Sequence, residues 1–209
     1  MNNINSKPIV FLDRDGTINV EKGYIKNLDN FELITRAGQA IKLLNNNNIT
    51  TVLTSNQTGA ARNYYPIEHI YALHEKLKLL LSADKAHLDL YLFCPHLVNA
   101  TNSAYNLDCD CRKPKVGMLE QAYKVFTDHN PRHCYIVGDK PCDIELAKGW
   151  QAKLKVLNKN PLNIKSILVK TGYGQETLQW SKDNETNPDF LAESLYEACE
   201  FIIDDASKL

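Results

Sequence analysis

Asp13-Arg14-Asp15-Gly16-Thr17 sets two carboxylates two positions apart, directly after the apolar run Ile9-Val10-Phe11-Leu12. At a strand end both can face one pocket. One can attack phosphorus as a nucleophile and form an aspartyl-phosphate. The other can protonate the leaving oxygen and then deprotonate water. Gly16 permits the sharp turn such a loop needs. The same residues also suit a polar turn with a helix cap. A second carboxylate group follows Tyr135-Ile136-Val137, in Gly138-Asp139-Lys140-Pro141-Cys142-Asp143. Asp139 suits Mg²⁺, which prefers hard oxygen ligands. Asp143 either joins it or caps the next helix. Ser55 offers a hydroxyl and a backbone N–H to a phosphoryl oxygen, or simply closes a strand. Lys113 offers a cation to offset carboxylate and phosphate charge together, or is solvated at the surface.

Cys94-Pro95-His96 and Cys109-Asp110-Cys111 form two tight pairs of soft ligands. Three thiols and an imidazole suit tetrahedral Zn²⁺. Separate buried thiols and a surface histidine are the alternative. A metal held by all four residues has no open position for water, so its role would be structural. It would pin the loop from Asn99 to Asp108 and place Arg112-Lys113-Pro114 over the carboxylates. Cys134 is expected in the core, Cys142 in the Asp139 loop without chemistry, and Cys199 in the last helix. His69, His74, His87, His129 and His133 show no ligand spacing and are expected at surface or supporting positions.

These residues need elements to hold them. Short continuous apolar runs predict buried strands at Ile9–Leu12, Ile49–Leu53, Leu88–Phe93 and Tyr135–Val137. Helical spacing marks Ala37–Leu44, then a helix opened by Pro66 with Ile67, Ile70, Leu73, Leu77 and Leu80 on one face. A further helix carries Met118, Leu119, Ala122, Val125 and Phe126. A short helix follows Asp143. Leu154–Leu157 and Ile167–Val169 are read as further strands, and Phe190–Ile203 as a terminal helix. This alternation predicts an α/β fold, a doubly wound parallel sheet with helices on both faces. It is expected to be a single domain over 1–209, with a C-terminal helical extension from about 175. Ligands of such sheets bind beyond the carboxyl ends of the strands. Asp13, Ser55 and Asp139 should therefore converge on one crevice.

Composition narrows the partners. The 209 residues carry 24 Lys+Arg against 25 Asp+Glu, a net charge of −1, which argues against a phosphate-backbone binder. No apolar run approaches the ~20 residues of a membrane span. Met1 to Lys7 holds no apolar signal region, so a cytoplasmic chain is expected. Six cysteines then read as thiols or metal ligands, not disulfides.

In order and type, these motifs resemble the haloacid dehalogenase superfamily of phosphohydrolases. The resemblance implies Asp13 as nucleophile and Asp15 as general acid/base. It implies Mg²⁺ held by Asp13, the Asp15 carbonyl and Asp139, with Ser55 and Lys113 steadying the phosphoryl group. A capless member with this cysteine–histidine loop is similar to the D-glycero-D-manno-heptose 1,7-bisphosphate phosphatases. FLDRDGTINVEKGYI, SNQTGAAR, CPH…CDCRKPKVGML, VGDKPCDIELA and VKTG carry that similarity. It implies removal of the C7 phosphate from a small sugar bisphosphate, on the route to nucleotide-activated heptose; a monomer is expected. It also implies substrate contacts from Glu21, Lys22, Gly23 and Tyr24, from Asn56, Gln57 and Thr58 beside Ser55, and from Arg112 and Lys140. Ser55 and Thr58 exchange the commoner Thr and Ser of the family, Ala60 replaces a larger aliphatic, and Asn63 replaces Gly. Histidinol-phosphate phosphatases share the zinc loop, and an inactive zinc-loop binding module is the alternative of another class.

Overall fold

The computed structural model describes residues 7–130, 132–157 and 163–208. Six strands form one parallel sheet in the order β3-β2-β1-β4-β5-β6. They are β1 (Ile9–Leu12), β2 (Thr50–Asn56), β3 (Leu90–Cys94), β4 (His133–Gly138), β5 (Asn163–Val169) and β6 (Phe190–Ala192). The helices are α1 (Ala37–Asn46), α2 (Ile67–Ala83), α3 (Gly117–Val125), α4 (Pro141–Val156), α5 (Gly174–Asp183) and α6 (Leu195–Ala206).

β1 is buried at every residue because the sheet is covered on both sides. Val10 and Leu12 feed one core, with Ala40, Ile41, Leu73, Leu77 and Ile202 of α1, α2 and α6. Ile9 and Phe11 feed the other, with Leu119, Ala122, Ala147 and Trp150 of α3 and α4. Strand order reverses between β1 and β4, and such a reversal opens a crevice beyond the carboxyl ends. Leu12 pairs in register with Leu53 and with Val137. Asp13 and the Asp139 loop therefore emerge side by side, as the strand endings predict.

Three expected elements differ. Leu154–Leu157 is not a strand but the end of α4 and its cap. Its alternation of Leu154 and Val156 with lysines imitates a strand, yet Leu154 is buried and Val156 is 82% exposed, as on a helix. The helix near Asp143 is long and begins before it, with Pro141 in the first turn. Phe190–Ile203 is not one helix. β6 adds to the sheet edge, and Ser194 then caps α6 by accepting the Glu197 N–H.

Candidate active site

β1 and β4 deliver the acids, and the loops behind them fix their orientation. The Asp13 N–H donates to the Val137 carbonyl at 2.9 Å, tying the start of one loop to the neighbouring strand. Asp13, Asp139 and Asp143 are all buried, and each offers one oxygen within 4.8 Å of the others. Burial and then the Asp13 charge push the Asp139 carboxyl up to about 8. Burial likewise raises Asp143. The Asp139 Oδ1 atom is buried and has no hydrogen-bond partner among the described residues, although the Lys140 ammonium lies 3.7 Å away. Three buried carboxylates, two of them with raised pKa values, around a bare oxygen fit a hard divalent cation.

Lys113 Nζ stands 3.0 Å from Asp13 Oδ1 and 2.6 Å from Asp143 Oδ1. Burial opposes its charge, but Asp13 and Asp143 outweigh it and hold its pKa above the lysine range. Asp143 does two tasks. Its Oδ1 takes Lys113, and its Oδ2 accepts the Lys140 N–H at 3.1 Å in a capping box at the head of α4.

Asp15 has a different setting. Arg14 Nη2 lies 2.9 Å from its Oδ2, Gln57 Nε2 donates to that oxygen at 2.7 Å, and Asn19 Nδ2 donates to Oδ1 at 2.9 Å. Burial alone would raise this carboxyl. The Arg14 charge and the three donors outweigh burial and leave it below its ordinary value. Gln57 Nε2 also donates to Ser55 Oγ at 2.8 Å, which links the ends of β1 and β2.

Asn56 does not aim its amide at open space. Its Nδ2 donates to the Lys113 carbonyl and its Oδ1 accepts the Lys113 N–H. Glu21 Oε2 pairs with Lys140 Nζ at 2.7 Å, and Glu21 Oε1 accepts the Gly23 N–H. Gly23 makes that turn at φ +67°. The Tyr24 and Thr58 hydroxyls lie 3.2 Å apart. Lys22 turns away and pairs with Glu32 at 3.0 Å. Arg112 donates to the His96 carbonyl, joined to the cysteine–histidine loop.

That loop gathers its four ligands. Cys94 and Cys109 sulfurs lie 3.4 Å apart, Cys109 and Cys111 3.3 Å, and His96 Nδ1 is 3.4 Å from Cys111 and 3.7 Å from Cys94. A tetrahedron with ~2.3 Å metal–sulfur bonds has edges of ~3.7 Å, so the donor set fits Zn²⁺ with little adjustment. Cys134 is buried in the core as expected, and Cys199 lies in the last helix as expected, on the buried face of α6. His74 is buried on α2 against the Tyr91 and Phe93 rings, not at the surface.

Sequence reasoning assigned no task to Arg14, Asn19, Thr171, Tyr173 or Thr177. Arg14 and Asn19 lie beside Asp15 in sequence, but nothing in their spacing marks them as its partners. The other three reach the site from beyond β5. Tyr173 N–H donates to Asp139 Oδ2 at 2.8 Å, and Thr177 Oγ1 donates to the Asp139 carbonyl at 2.7 Å. Of the three, only Thr171 falls inside a motif, VKTG.

The fold and this site define the class of haloacid dehalogenase-type phosphatases. A crystal structure titled as the D,D-heptose 1,7-bisphosphate phosphatase of B. bronchiseptica with magnesium and phosphate superposes with a TM-score of 0.77 at 26% identity, over 95% of this chain and 99% of that one. The chain belongs to the family described as polynucleotide kinase 3 phosphatase, matched over residues 8–160. The chain is 39% identical to the D-glycero-D-manno-heptose-1,7-bisphosphate 7-phosphatase of Thermosynechococcus vestitus, over 94% of this chain and 95% of the relative. It is 40% identical to the D-glycero-beta-D-manno-heptose-1,7-bisphosphate 7-phosphatase of Haemophilus ducreyi, over 72% of this chain and 82% of the relative.

Proposed function

We infer that this protein is a phosphoric monoester hydrolase that removes the C7 phosphate of D-glycero-D-manno-heptose 1,7-bisphosphate. The observation that carries the reading is the Asp13–Asp139–Asp143 cluster with its lysine, in a chain that matches a 7-phosphatase over 94% of its length. The enzyme acts as a cytoplasmic monomer on a small sugar phosphate. Among the described residues no helix is long and apolar enough to cross a membrane.

Asp13 attacks phosphorus and takes the phosphoryl group, and water then releases it. Lys113, charged and fixed between Asp13 and Asp143, faces the negative charge that builds on the transferring oxygens. Ser55, held by Gln57, adds a hydroxyl toward the same phosphoryl group. Asp15 rests ionised under Arg14, Asn19 and Gln57. An arriving phosphate dianion places like charge beside it and raises its proton affinity, so it takes up a proton from solvent and passes it to the leaving oxygen. Returned to the ionised form, it takes a proton from water. Asp13, Asp139 and the Asp15 carbonyl would hold Mg²⁺, with Asp143 adjoining. When bound, Mg²⁺ neutralises charge that the phosphoryl group brings. Glu21, Gly23, Tyr24 and Thr58 line the sugar side with Lys140, and Arg112 reads the far end of the substrate. Cys94, His96, Cys109 and Cys111 would hold a structural Zn²⁺ that keeps Arg112 in place.

Phosphate release across a panel tests this reading. The panel holds both anomers of the heptose bisphosphate, histidinol phosphate, fructose 1,6-bisphosphate and a 3′-phosphorylated oligonucleotide. The heptose bisphosphate should give the highest kcat/KM. A preference for histidinol phosphate or the oligonucleotide would overturn the substrate assignment while keeping the chemistry.

A further inference from the structure

The loop between β5 and α5 lies outside the motifs that supply the acids and the lysine, yet it grips the acid at the centre of the site. Asp139 has two carboxylate oxygens. Oδ2 accepts the Tyr173 N–H at 2.8 Å. Oδ1 stays bare of hydrogen bonds among the described residues, beside Asp13 and Asp143. The main chain of Asp139 is held as well, because buried Thr177 donates its hydroxyl to the Asp139 carbonyl at 2.7 Å.

The same loop also holds the Asp13–Asp15 turn. Thr171 Oγ1 donates to the Gly16 carbonyl at 2.6 Å. Gly172, at φ +56°, lies so close that an added Cβ would sit 2.2 Å from Asp139 Oδ2 and 2.5 Å from the Gly16 Cα. Gly16, at φ +83°, is pressed equally, with an added Cβ 2.0 Å from Asp139 Oδ2. Neither glycine can carry a side chain without moving the acid.

The geometry points to Thr171, Gly172, Tyr173 and Thr177 as a positioning device for the metal: they choose which oxygen of Asp139 faces the cation and fix its distance from the Asp13 loop. The inference rests on the Mg²⁺ reading of the carboxylate cluster. Groups that hydrogen-bond a metal-ligating carboxylate set its direction, and losing one such partner costs ~10–100-fold in metal affinity.

Thr177→Val keeps the shape of the side chain and removes the hydroxyl. Direct titration of the purified protein with Mg²⁺ alone, followed calorimetrically and by the Mg²⁺-dependent rise in Tm, reads the effect without substrate. The dissociation constant should rise, because the Asp139 main chain loses a tie that fixes where its carboxylate sits, Thr177→Ser should restore it, and kcat at saturating Mg²⁺ should change far less. Thr171→Val, acting from the other side of the loop, should shift the same titration and provides the reading if Thr177→Val does not fold. Asp139→Ala serves as the reference. If Asp139→Ala weakens Mg²⁺ binding while Thr177→Val and Thr171→Val bind it as the unaltered chain does, the positioning role is wrong. If Asp139→Ala itself leaves the titration unchanged, the metal assignment under the proposed function is wrong, and this inference falls with it.

Discussion

Asn56 holds the main chain of Lys113 from both sides, its Nδ2 donating to the Lys113 carbonyl at 3.1 Å and its Oδ1 accepting the Lys113 N–H at 3.0 Å. An amide that pairs both ways with a peptide unit imitates one rung of a sheet. It carries the order of β2 across to a residue with no strand of its own. The far end of that residue is the ammonium between Asp13 and Asp143. Asn56→Ala should lower kcat ~10–100-fold with KM little changed, since small misplacements of a charge-stabilising group cost that much. Steady-state kinetics separates the alternatives. A raised KM with unchanged kcat would mean that Asn56 meets the substrate.

Asp13→Asn keeps the shape and removes the attacking charge. Lys113 retains Asp143 as a partner, so the fold should hold. Turnover should fall by about three orders of magnitude or more, with far-UV circular dichroism unchanged. Substantial residual turnover would sink the aspartyl-phosphate route.

The cysteine–histidine loop reaches the site through Arg112 and Lys113, and the Cys94 carbonyl accepts the Gln57 N–H at 2.8 Å. Metal analysis should find about one Zn²⁺ per chain. Cys109→Ala should lose it and lose activity in part, because Asn56 still holds Lys113 when the loop loosens. Added Mg²⁺ should not restore the loss. A zinc-free chain with full activity would make these cysteines ordinary thiols.

His74 sets an acid limit on stability. Burial on α2, with the Arg14 charge nearby, lowers its pKa from 6.5 to about 3. The folded chain therefore keeps it neutral, and the unfolded chain protonates it below pH 6.5. Its contribution is complete above that pH and is lost as pH falls toward 3, at up to ~1.4 kcal/mol per pH unit. His74→Leu should flatten this part of the stability profile in urea melts at pH 4 to 7. Parallel profiles for the two proteins would remove His74 from the account.

The acids were legible because each follows an apolar run that stops abruptly. Ile9–Leu12 then Asp13, and Tyr135–Val137 then Asp139, mark strand and site in one stroke of sequence. The cysteine–histidine cluster was legible because paired soft ligands have few other uses. Elements beyond Leu154 were harder. The closing turn of α4 alternates like a strand, and a three-residue β6 has no period to read, though Ser194 and Glu197 carry a helix start signal between it and α6. Thr177 stayed hidden because its partner Asp139 is remote in sequence, and only the parallel crossover brings them together.

The central claim is a regiospecific hydrolysis, and ³¹P NMR of the reaction reads it directly. With D-glycero-D-manno-heptose 1,7-bisphosphate, Mg²⁺ and the unaltered protein, the C7 phosphorus signal should give way to inorganic phosphate while the C1 signal persists. Loss of the C1 phosphate, or a bisphosphate left intact under those conditions, would contradict the account.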